Sequence, residues 1–101
     1  MIVQGDIFFI RTQSIPEGAL QKSREAKGYI IAKGEATGHA HVIEDEVMLY
    51  DKKGTLFVKV SKPVEVRHEE HLPVTLSPGC WEVGIVSEYD PFLEEVQKIQ
   101  D

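Results

Sequence analysis

The sequence predicts an all-β fold, a small antiparallel barrel or sandwich of six to eight strands with a short C-terminal helix. Three observations carry that expectation. Apolar β-formers gather in short runs, Gly and Pro punctuate the gaps between the runs, and a helical period appears only at the end. The 101 residues, 42% hydrophobic and 28% charged, suit one folded domain spanning 1–101 rather than a disordered chain.

The first strand is written in Ile2, Val3, Ile7, Phe8, Phe9 and Ile10, broken by Gln4-Gly5-Asp6 as a turn or bulge. Ser14-Ile15-Pro16-Glu17 has an N-cap serine with a glutamate three residues on, so a short helical turn or an ordered loop is expected before Ala26. Tyr29 to Ala32 reads as a brief apolar strand, ended by Lys33-Gly34-Glu35 and Thr37-Gly38. Successive antiparallel strands then span His39 to Glu44, Val47 to Tyr50, Leu56 to Val60 and Val64 to His68.

Asp51-Lys52-Lys53-Gly54 predicts a hairpin turn in which Gly54 supplies the positive φ. Leu56, Val58 and Val60 alternate with Phe57, Lys59 and Ser61, the period of a half-buried strand. Val74 to Leu76 and Trp81 to Val86 predict a second hairpin about Ser77-Pro78-Gly79. The tail turns helical over about 91–100, where Asp90-Pro91 is an N-cap and first-turn proline and Phe92, Val96 and Ile99 share a face.

Composition narrows the function classes. A net charge of −6 argues against a nucleic-acid partner, since phosphate binding calls for a basic stripe; Lys22, Arg24, Lys27 and Lys33 read as a solvated edge. The lone Cys80 excludes an intramolecular disulfide, and as a strand cysteine it reads as a small buried hydrophobe rather than a nucleophile. No apolar run approaches the roughly 20 residues of a membrane span, and no basic stretch with an apolar core opens the chain. A cytoplasmic protein is expected, and the absence of Asn hints at a heat-adapted source. Trp81 and Tyr89 read as core or interface anchors.

The chemistry lies in two histidine pairs. On a strand, His39 and His41 project from one side, and His68 and His71 bracket Glu69-Glu70 at a strand end. Imidazoles joined by a carboxylate suit a divalent metal such as Zn or Fe. Among Glu44, Asp45 and Glu46, strand parity selects Asp45 as sharing the His39/His41 face. The expected ligands are therefore His39, His41, His68, His71 and Asp45, with Glu69 and Glu70 as further ligands or a general base. As plain rim residues the same histidines would hydrogen-bond backbone and carboxylates, and beside those acids they would also respond to pH near neutrality.

Gly38-His39-Ala40-His41, with an acid four or five positions on, resembles the first motif of the cupin superfamily, which implies a jelly-roll barrel with a metal held by two histidines, a glutamate and a third histidine. The family places that third histidine just after a Pro-x-Gly turn, whereas here Pro78-Gly79 is followed by Cys80-Trp81-Glu82. Gly38 to His41, His68 to Pro73, Pro78-Gly79 and Glu88 to Pro91 also resemble a group of small uncharacterised prokaryotic and phage proteins. That resemblance implies a recurring domain and no particular reaction. The function expected is a non-enzymatic binding or assembly module, self-associating through exposed sheet edges and the amphipathic tail. The alternative is a metal-dependent enzyme with a histidine-rich site on a cupin-like barrel.

Overall fold

Backbone hydrogen bonding settles which of the apolar runs pair. The computed structural model describes residues 1–33 and 38–86, and these contain ten strands and no helix. In chain order they are β1 (Ile2–Gln4), β2 (Ile7–Thr12), β3 (Leu20–Lys22), β4 (Tyr29–Lys33), β5 (Ala40–Ile43), β6 (Met48–Lys52), β7 (Thr55–Val60), β8 (Val64–Val66), β9 (Val74–Leu76) and β10 (Gly79–Ile85). All pairings are antiparallel. One sheet runs β1-β2-β10-β7-β6-β3, and β4-β5 and β8-β9 form two further pairs.

The all-β class holds, but the expected barrel does not close. The six-stranded sheet ends in two edges, β1 and β3, that do not meet. The strand count also exceeds the six to eight expected. The strand that the sequence concealed is β3, because Leu20, Gln21 and Lys22 are all exposed and carry no alternation. This edge strand is held by backbone pairing to β6, in a stretch expected to be a helical turn or loop. The expected helix over about 91–100 lies outside the described residues, as does Tyr89.

The β6–β7 hairpin forms as expected. Lys52 pairs with Thr55, so the loop is only Lys53-Gly54, and both residues have positive φ, 52° and 88°. That is the backbone a two-residue hairpin requires. The second expected hairpin is absent: β9 pairs with β8, while β10 crosses to lie between β2 and β7. Ser77-Pro78 is instead a corner between sheets. Trp81 Nε1 donates to the Ser77 carbonyl at 2.9 Å, and Arg11 donates to the Pro78 carbonyl at 2.9 Å while lying over the Trp81 ring.

A single apolar cluster joins the sheets. Ile7, Phe9, Leu49, Val58, Val60, Trp81 and Val83 come from the large sheet, and Tyr29, Ile31, Ile43, Val64, Val66 and Leu76 from the two small pairs. Trp81 is thus a core anchor, whereas Cys80 is only half-buried. Packing the sheets against one another buries each apolar face, which a two-stranded pair cannot do alone. Among the described residues no helix is long and apolar enough to cross a membrane.

Candidate metal centre

One backbone bridge assembles the histidines. Val42 and Arg67 exchange two hydrogen bonds, of 2.9 and 2.8 Å, in antiparallel fashion. Continuing that register outward sets His41 opposite His68, Ala40 opposite Glu69 and His39 opposite Glu70. The contacts follow this order. The His41 and His68 rings lie 4.4 Å apart between centroids, the Ala40 N–H donates to both Glu69 carboxylate oxygens at 3.1 and 3.2 Å, and His39 Nδ1 meets the Glu70 carboxylate. The two pairs therefore converge: His39 stands 5.7 Å from His68, and His71 stands 4.7 Å from His68 and 6.2 Å from His41.

Ligand atoms of His39, His68 and Glu69 all lie within 4.8 Å of one another. The Glu69 carboxyl is held below its usual range, chiefly by the Ala40 N–H, so it is ionised as a metal ligand must be. Glu70, on the other side of His39, favours a proton on Nδ1 and so a lone pair on Nε2, the arrangement common to metal-bound imidazoles. His68 is set differently, since the Glu70 N–H donates to its Nδ1 at 3.0 Å. Coordination through that nitrogen exchanges the hydrogen bond for the metal.

His41 is the buried member, 3% exposed in the middle of β5. Its Nδ1 lies 2.8 Å from Gln4 Oε1 and its Nε2 lies 3.0 Å from Asp6 Oδ1. Burial lowers its pKa, with His68 and His71 adding to the effect and Asp6 opposing it. Gln4 and Asp6 both flank the β1–β2 turn, where the Asp6 carbonyl accepts from the Val86 N–H at 2.7 Å. Gly5 makes the turn with φ 57°, and a Cβ there would stand 2.5 Å from His71 Nε2, so a side chain would displace that ring.

Of the acids expected from parity, Asp45 does not join the group. The β5 strand stops at Ile43, and Asp45 is exposed beyond its end. Glu44 faces Arg67 at 4.0 Å, and Glu46 accepts from the Tyr29 hydroxyl at 2.6 Å, which raises the tyrosine pKa. Sequence reasoning missed Gln4 and Asp6, which read only as turn residues. The available signal was Gln4, a polar residue directly after Ile2 and Val3, and only the structure shows that it is almost fully buried.

Space adjoins the cluster on two sides. A cavity of about 290 Å³ is lined by Lys27, Ile30, Lys33, His39 and Ala40, and another of about 400 Å³ by Lys27, Val42, Arg67, His68 and Glu69.

No curated protein and no solved structure matches the chain. Residues 3–85, which contain all four histidines together with Gln4 and Asp6, match the family described as Domain of unknown function (DUF8820), and the chain belongs to that family.

Proposed function

We propose that this protein binds a divalent transition metal through His39, His68 and Glu69. The observation that carries the reading is the gathering of these ligand atoms within 4.8 Å, on a register set by the Val42–Arg67 bridge. Two imidazoles and a carboxylate form the donor set of catalytic zinc and of non-haem iron sites, which keep positions open for substrate. The adjoining cavities at His39 and at His68 and Glu69 give such positions room for a small molecule. Glu70, in contact with His39, orients that ring and is the nearest candidate for a general base.

The test is elemental analysis of tag-free protein equilibrated with zinc, iron(II), nickel or manganese. Near-stoichiometric metal is expected in the wild type, with affinity at least about tenfold lower in His39→Ala and Glu69→Gln. A wild type that takes up none of the four overturns the reading.

A second reading, a cytoplasmic assembly module, is favoured by one observation: among the described residues β3 is an outer strand of the large sheet, paired on one side to β6 and bearing Leu20 at 73% exposure. Sedimentation that shows a monomer at every concentration tried eliminates it.

A further inference from the structure

Lys27 lines both spaces beside the candidate metal centre, the cavity of about 290 Å³ at His39 and that of about 400 Å³ at His68 and Glu69. Its position is built into a tight turn. Glu25 and Gly28 exchange two backbone hydrogen bonds, of 2.9 and 3.0 Å, which leaves Ala26 and Lys27 as the two corner residues. The turn is pinned to the end of β5. Arg24 donates to the carbonyls of Glu25 and Glu44 at 3.1 and 3.3 Å, and Gly28 lies so close to the Ile43 carbonyl that a Cβ on it would stand 2.6 Å away. Composition alone reads Lys27 as part of a solvated edge, whereas the fold sets it in the wall of both cavities. Among the described residues no carboxylate forms an ion pair with it.

The charges of the larger cavity give this placement a use. Lys27 and Arg67 offset the two carboxylates of its wall, Glu44 and Glu69. A divalent ion on His39, His68 and Glu69 therefore leaves two positive charges in excess there. In the smaller cavity Lys33 joins Lys27 against Glu25. Arg67 meets Glu44 only at 4.0 Å, so its guanidinium fork keeps donors for a ligand. Uncompensated charge in a confined space selects a ligand of opposite charge.

We propose that the metal-loaded centre binds a small dianion, whose carboxylate or phosphate oxygens reach an open position on the ion while Lys27 and Arg67 hold the remaining oxygens. This rests on the metal reading above and adds the class of ligand. The cavity volume suits a small molecule, and the chain's net charge of −6 repels an extended polyanion. Binding is conditional on the metal, because without it the charges of the wall balance.

The test adds inorganic phosphate or succinate to cobalt(II)-loaded full-length protein, followed by the visible absorption of the cobalt, with calorimetry on metal-free protein beside it. The cobalt bands are expected to shift saturably with at least one dianion, and the metal-free protein to bind it at least about tenfold more weakly. A response to phosphate alone or to succinate alone supports the proposal and assigns the oxyanion. Lys27→Met is expected to weaken binding about tenfold with cobalt uptake unchanged. Lys27 is exposed and its side chain makes no hydrogen bond among the described residues, so this variant keeps the fold. Glu44→Gln removes a competing carboxylate and is expected to tighten binding, a change that a merely structural role would not give. Cobalt bands that neither dianion moves, or equal affinity in Lys27→Met and the wild type, overturn the proposal and leave the metal site standing. A protein that takes up no cobalt overturns the metal reading, and the dianion with it.

Discussion

Gln4 and His41, 37 positions apart, share a buried hydrogen bond of 2.8 Å, and the same Gln4 amide ties down the carbonyls of Val66 and Leu72. One side chain thus links β1, β5 and the segment that carries His68 and His71. Gln4→Met keeps the bulk and removes all three bonds, leaving buried groups without partners. Such groups cost about 1–3 kcal/mol each. Urea unfolding of the metal-free protein should show a loss of about 3 kcal/mol; a loss within error of zero would mean that water replaces the amide at no cost.

Gly5 is the residue on which His71 leans. Its φ of 57° disfavours any side chain, and an added Cβ meets the imidazole. Gly5→Ala should cost about 1–2 kcal/mol for the backbone alone. It should also shift the His71 ring resonances while leaving those of His39 in place. Unchanged His71 resonances would contradict the packing described.

Acid should destabilise the metal-free protein in two stages. The His41 pKa lies below its ordinary 6.5 because the ring is buried, so the unfolded chain takes up the proton first. Stability present above 6.5 is therefore lost as pH falls through that value toward the folded pKa. Glu69, held below 4.5 chiefly by the Ala40 N–H, adds a second loss as pH falls further. Urea midpoints measured from pH 8 to 4 should decline with falling pH, and His41→Gln should flatten the segment just below 6.5. A midpoint that rises on acidification would reverse the sign.

The β6–β7 turn carries avoidable strain. Lys53 has φ 52°, a conformation that Asn tolerates better than Lys, and it precedes Gly54. Lys53→Asn should raise stability by about 0.5–1 kcal/mol without altering metal uptake. A destabilised variant would show that the Lys53 side chain contributes more than its backbone costs.

Much of the architecture is legible in local chemistry. Ile7 and Phe9, Val58 and Val60, and Trp81 and Val83 alternate with outward neighbours, and those positions form the buried face. Lys53-Gly54 marks its hairpin because a two-residue loop demands positive φ at both positions. Where local chemistry is neutral the sequence misleads. Pro78-Gly79 is as good a corner as a hairpin, and only the competition of β2 and β7 for β10 decides between them.

The sequence by itself determined that the protein is built of short strands and that His39, His41, His68 and His71 are its candidate ligands. It specified each pair through spacing that is intrinsic to a strand or its end. Only the tertiary structure decided that the pairs meet, that Glu69 joins them while Asp45 lies outside, and that Gln4 and Asp6 enclose His41. The reason is that these contacts depend on the register between β5 and the chain after β8, and on where β1 lies against both. Register is a choice among long-range pairings whose side chains alternate faces with each one-residue slip, and no local pattern records which pairing packs best.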